Sequence, residues 1–216
     1  MAAKRKSLGR KTVVTRKVGV RQPRKTFLII CEGLNTEPEY FNSFRLTSAY
    51  VRAIGKGLGT TALVREAITV RREEQRKDRT FDECWVVFDK DDFPDSDFEA
   101  AISEAEKAGF HVAWSNQAFE FWFILHFILY RGLLHRNKYA AMLTKLTGLP
   151  YAKKAGVASN LYNMLYPRLD TAIANAKAVL SDFEGVKPSK AESATTVFRL
   201  AEELKAHIET STICPK

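Results

Sequence analysis

Glu83-Cys84-Trp85-Val86-Val87-Phe88-Asp89-Lys90-Asp91-Asp92 is a short apolar run that ends abruptly in acid. A run of this length, rich in β-branched and aromatic residues, reads as a buried strand with a polar turn at its carboxyl end. Upstream, Lys25–Cys31 (KTFLIIC) reads the same way and ends at Glu32-Gly33. Downstream, Phe98, Ile102, Ala105 and Ala108 recur at three- and four-residue steps, so Asp97–Lys107 reads as an amphipathic helix closed by Gly109. Phe110–Trp114 is the next strand, and it ends at Ser115-Asn116.

Between the first two strands, Thr36-Glu37-Pro38-Glu39 has the marks of a helix start: Thr36 as cap, Pro38 in the first turn, and carboxylates at the positive end of the dipole. Tyr40, Phe41 and Phe44 follow at helical spacing, residues 49–54 suggest a further short strand, and Thr60 or Thr61 opens a helix running to about Lys77. Strands alternating with helices predict an α/β fold, a parallel sheet with right-handed crossovers. Ala118–Tyr130 is apolar nearly all round, hence a buried helix. From Arg136 the pattern is helical throughout, near 137–147, 158–180 and 192–210. The chain thus divides into an arm (1–24), an α/β domain (25–135) and a helical extension packed on it (136–216).

With 216 residues, 45% hydrophobic and 27% charged, the chain is long enough to bury roughly 70% of its unfolded surface, and disorder is excluded for its bulk. No run of apolar residues suits a membrane span, and the basic N-terminus has no apolar segment behind it to make a secretory signal. Cys31, Cys84 and Cys214 have no metal-type spacing and read as reduced thiols of a cytoplasmic protein. The net charge of +9 is uneven: residues 1–25 hold ten Lys or Arg and no acid, while the rest carries 24 basic against 25 acidic side chains. Such an arm, Arg21 and Arg24 included, suits nucleic acid, whose condensed counterions it releases; a solubilising tail is the alternative.

The carboxyl ends of parallel strands line one crevice, where ligands bind. Glu32, Asp89 and Asp91 should converge there, and strand alternation should point both aspartates the same way. Asp92 follows directly, and Glu120 falls in the first turn of the helix after Ser115-Asn116. Clustered carboxylates repel one another unless a cation lies between them, and hard oxygen donors suit Mg2+ or Mn2+. A solvated loop is the alternative for Asp89–Asp92, and a buried salt bridge for Glu120. His126 reads as a core histidine or a ligand, and Cys31 as packing. The glycine run 55–59 lacks the order of a phosphate-binding loop and reads as a flexible connection, with Lys56 in it. Lys56, Lys90, Ser115 and Asn116 are the candidate phosphate contacts. No nucleophile elbow, zinc-type spacing or dinucleotide-binding glycine motif competes.

Three stretches carry a resemblance to a known family. They are Leu28–Gly33 with Thr36-Glu37 and Tyr40-Phe41 behind it, Val86–Phe93, and Ser115–Trp122 with Leu125-His126-Phe127. In this order and spacing the chain resembles the RloB family from about residue 20 to 205; the segment at Glu192–Thr196 matches only loosely. The resemblance implies a Toprim-type catalytic domain acting at phosphodiester bonds with Mg2+, with Glu32 after the first strand and Asp89 and Asp91 after a later one; with Glu120, from its place at the crevice rim, they make the catalytic set. Asp89 and Asp91 are then the primary metal ligands. Glu32 is a ligand or the general acid/base, Asp92 an adjoining ligand, and Glu120 the holder of a second ion. It also implies a nuclease of phage defence or abortive infection, working with an ATPase partner of the same locus; a homodimer stays open. A non-catalytic binding subunit and a primase- or topoisomerase-like enzyme are the competing classes.

Overall fold

The computed structural model describes residues 25–46, 48–53 and 60–212. The arm at 1–24, with Arg21 and Arg24, and the glycine run with Lys56 lie outside the described residues. Four strands, β1 (Phe27–Cys31), β2 (Ala49–Ala53), β3 (Glu83–Asp89) and β4 (His111–Ser115), form one parallel sheet in the order β2-β1-β3-β4. All five residues of β1 are buried, as a central parallel strand with both faces covered requires.

Helix α1 (Thr36–Asn42) joins β1 to β2, α2 (Thr60–Gln75) joins β2 to β3, and α3 (Asp95–Lys107) joins β3 to β4. The chain moves outward one way from β1 and then returns past it, so right-handed crossovers put α1 on one face and α2 with α3 on the other. Helix α2 buries Leu63, Val64, Ala67 and Val70, α3 buries Phe98, Ala101 and Ala105, and the two helices also contact each other. The fold is therefore the α/β class expected.

Three helical boundaries differ from expectation, each for a local reason. The helix expected over 118–130 is only α4 (Glu120–Leu125). Its last turn tightens, with His126 N–H donating to Phe123 O and Phe127 N–H to Ile124 O, and the Asn175 side-chain amide takes the Leu125 carbonyl at 2.8 Å. After α5 (Tyr139–Thr147), the helix expected over 158–180 is two, α6 (Val157–Leu165) and α7 (Leu169–Ser181). Pro167 separates them in a single 3-10 turn, because proline offers no N–H to continue the ladder. Helix α8 (Val197–Thr212) starts later than 192, because the residues before it pair with β4. The Thr196 hydroxyl accepts the Trp114 N–H at 2.9 Å and Thr196 N–H donates to Trp114 O at 2.8 Å, which closes the open edge of the sheet.

Candidate functional site

Sheet order reverses between β1 and β3, the point at which an open parallel sheet forms its crevice. Glu32 follows β1, and Asp89 ends β3. Glu32 N–H extends the ladder to Val87 O at 3.0 Å, and its Oε2 accepts the Asp89 N–H at 3.3 Å. The Asp89 side chain is almost wholly buried. Its Oδ2 accepts the Phe119 N–H at 3.0 Å, and its Oδ1 is buried with no hydrogen-bond partner. Phe119 is fixed by edge-to-face packing on Tyr40 and Phe41, so the core itself sets the position of that donor.

Glu120 opens α4 with 1% of its surface exposed. Its Oε1 accepts the Tyr151 hydroxyl proton at 2.9 Å, and Oε2 faces the Lys153 ammonium at 2.9 Å. Tyr151 and Lys153 lie on the α5–α6 connection. That connection is tied down by Gly156 N–H donating to Glu39 Oε1 at 2.7 Å and by Tyr151 N–H donating to Thr144 Oγ1 at 3.0 Å.

Glu37, in the first turn of α1, is a further buried carboxylate. It folds back over the Glu32-Gly33 turn so closely that a Cβ on Gly33 would lie 2.1 Å from its Oε2. Sequence reading took Glu37 for a carboxylate complementing the helix dipole. Its place directly behind a strand-ending Glu-Gly turn was the available signal.

The electrostatics show that these groups form one cluster. Burial, offset in part by the Asp89 N–H and reinforced by Asp91 and Glu37, raises the Glu32 carboxyl to about 7. Burial, with the charges of Glu120 and Asp91, raises Glu37 to about 7 as well. Asp89 is pushed well above the usual carboxylate range by burial first and then by Glu37, Glu120 and Asp91. Loss of water works against the Lys153 charge, but Glu120, Asp89 and Glu37 outweigh it and raise its pKa.

The other expected site residues are placed differently. Asp91 leaves the strand in the left-handed region at φ 47°, so alternation does not align it with Asp89. The Arg136 guanidinium binds Asp91 through one terminal nitrogen and Asp92 through the other, and Asp92 is exposed. Ser115 and Asn116, expected beside phosphate, are buried structural residues. The Ser115 hydroxyl shares a hydrogen bond with that of Thr195 at 3.0 Å, and the Asn116 amide donates to the carbonyls of Pro188 and Ser189. Lys90 turns to Asp95 at 3.1 Å rather than to the crevice. His126 is a core histidine: burial lowers its pKa to about 4, and Nδ1 meets Trp122 O at 2.9 Å.

Among the described residues no group of three or more His, Cys, Asp or Glu side chains is arranged to hold a metal ion. Cations already pair with three of the acids: Lys153 faces Glu120, and Arg136 holds Asp91 and Asp92. The donor chemistry nevertheless suits a hard cation. Asp89, Glu120, Glu32 and Glu37 are oxygen donors in one water-poor cluster, and Asp89 Oδ1 lacks any partner. Beside them lies a pocket of about 350 Å³, lined by Asp91, Glu120, Arg136, Tyr139, Tyr151 and Lys153 among others. A larger cavity of about 570 Å³ lies between α3, α7 and α8, and none of the clustered carboxylates lines it.

Fold and site together define an α/β protein whose parallel sheet presents buried carboxylates at its switch point. The chain belongs to the RloB-like family, whose model matches residues 27–204. No curated protein and no solved structure is similar enough to match it.

Proposed function

We propose that the protein is a divalent-metal-dependent nuclease of Toprim type, hydrolysing phosphodiester bonds of DNA or RNA. The observation that supports this most is Asp89, whose buried Oδ1 has no hydrogen-bond partner although Glu37 and Glu120 act on its charge. Asp89 and Glu120, with Glu37 beside them, are the residues to hold Mg2+ or Mn2+, which when bound would orient a water and offset the charge building on the scissile phosphate. Glu32 is the acid/base group. At a pKa of about 7 it both accepts and returns a proton near neutral pH. It takes the water's proton as the water oxygen adds to phosphorus and the bond to the leaving oxygen breaks, then returns that proton to the leaving oxygen.

Work in antiviral defence or abortive infection, with control by an ATPase partner, belongs to the same proposal and rests on the family resemblance. The 216 residues carry no nucleotide-binding loop, so any ATP-driven step falls to the partner. Among the described residues no helix is long and apolar enough to cross a membrane, and a cytoplasmic location is part of the proposal.

The test is incubation of the purified chain with labelled DNA and RNA strands, with and without Mg2+ or Mn2+. Cleavage that requires the ion and disappears in Asp89→Asn supports the reading; intact strands under every ion condition would sink it. A second reading, a non-catalytic binding subunit, is favoured by one observation: Lys153 and Arg136 already neutralise three of the acids. Calorimetry separates the two, since that subunit should take up no Mn2+.

A further inference from the structure

We propose that Arg136 and Lys153 form the phosphate-binding subsite of this protein, resting on acidic side chains until a nucleic-acid phosphate replaces them. The inference rests on the phosphodiester chemistry proposed above. Both cations come from the helical extension rather than from the sheet, and both line the pocket of about 350 Å³ beside the carboxylates. Arg136 forks across two carboxylates, Asp91 and Asp92, which are themselves exposed. Exposed pairs of this kind contribute little to stability, so the guanidinium is easily given up to a better partner. Its planar fork matches two oxygens of one phosphate equally well. Lys153 meets Glu120 at 2.9 Å with its own side chain largely exposed, so its ammonium is not enclosed there either. A divalent ion on Asp89 and Glu120 would repel the ammonium and remove its reason to stay.

The third wall of the pocket points the same way. Tyr139 is 2% exposed, and its hydroxyl makes no hydrogen bond, although Ser193 approaches it. A buried hydroxyl with nothing to bind calls for a ligand. A phosphate held by the Arg136 fork and the Lys153 ammonium supplies an acceptor on that side.

The experiment measures binding, so it stands apart from cleavage. A short fluorescein-labelled DNA strand and its RNA counterpart are titrated with the full chain in Ca2+, at several salt concentrations. Arg136→Met and Lys153→Met should each weaken binding about tenfold and make the slope of log affinity against log salt shallower by about one. Arg136→Lys should restore the slope. Tyr139→Phe should weaken binding with the slope unchanged, because the lost donor is neutral. Lys154→Met, an exposed neighbour that does not line the pocket, should behave as wild type. Calorimetric titration should show Lys153→Met binding Mn2+ at least as tightly as wild type, since a competing cation is gone.

Unchanged affinity and slope in Arg136→Met and Lys153→Met, with only the melting temperature lowered, would overturn the proposal and leave structural ion pairs. An equal loss in Lys154→Met would overturn it too, in favour of a diffuse positive field. If wild-type protein never cleaves but these binding patterns hold, the nuclease reading fails and the subsite stands.

Discussion

The backbone N–H of Asp89 donates to Glu32 Oε2 at 3.3 Å, which links the carboxylates after the two central strands across the point where sheet order reverses. An amide that holds one acid beside another keeps together charges that would otherwise separate. The cluster is thus part of the fold, and its charge state governs both stability and chemistry.

Asp89→Asn should abolish metal-dependent cleavage and raise the melting temperature of the metal-free protein. The neutral amide keeps the shape while removing a charge that burial, Glu37, Glu120 and Asp91 all disfavour. A rise of about 2–4 °C corresponds to roughly 1 kcal/mol in a chain of this size. Differential scanning calorimetry in chelator checks it; a large fall in melting temperature would show that the carboxylate is needed for folding.

Stability of the metal-free protein should fall as pH rises from about 5 to about 8. Glu32 and Glu37 have folded pKa values of about 7 against an ordinary 4.5, so between these limits the folded state binds more protons than the unfolded. The stabilisation is fully present below 4.5 and is lost as pH rises through about 7. Thermal melts across this window should show the slope, and Glu32→Gln with Glu37→Gln should flatten it. Saturating Mn2+ should oppose it, because the ion favours the charged carboxylates.

Gly33→Ala should reduce cleavage more than it reduces stability. The new Cβ would stand 2.1 Å from Glu37 Oε2, and the movable end of the Glu37 side chain can yield to it. Folding survives at small cost, while the carboxylate leaves its place over the turn. Comparison of cleavage rate with the denaturation midpoint distinguishes this from a general loss of fold.

Deleting residues 1–20 removes seven of the ten arm cations and leaves β1 intact. Nucleic-acid affinity should drop and its salt slope should become shallower, while cleavage positions stay the same, because arm contacts to phosphate carry no base information. Filter binding over a salt series and end-mapping of products test both halves. Unchanged binding would make the arm a solubility tail or a docking segment.

Much of the site follows from local signals. The apolar runs at Phe27–Cys31, Val86–Phe88 and Val112–Trp114 can only be buried, and alternation with helices makes them parallel, so Glu32 and Asp89 must share one edge. Glu120 was legible for the same reason: a carboxylate between phenylalanines in a buried turn has to meet a partner. What periodicity misread was fine geometry. Asp91 was expected to continue the strand, and the left-handed turn at φ 47° sent it to Arg136 instead.

The sequence alone determined the sheet, its crevice and three of the clustered acids, Glu32, Asp89 and Glu120, because burial pattern and strand ends are properties of neighbouring residues. Only the tertiary structure decided which groups face those acids. Arg136, Tyr139, Tyr151 and Lys153 reach the pocket because the turn before α5, α5 itself and the connection after it fold back over the carboxyl edge, and no local spacing encodes that return. Ser115 and Asn116 became structural for the same reason. Residues 188–196 pack along the end of β4 and take up their hydrogen bonds, an event set by contacts some eighty residues apart. Long-range packing, not pattern, chose between a phosphate contact and a core hydrogen bond.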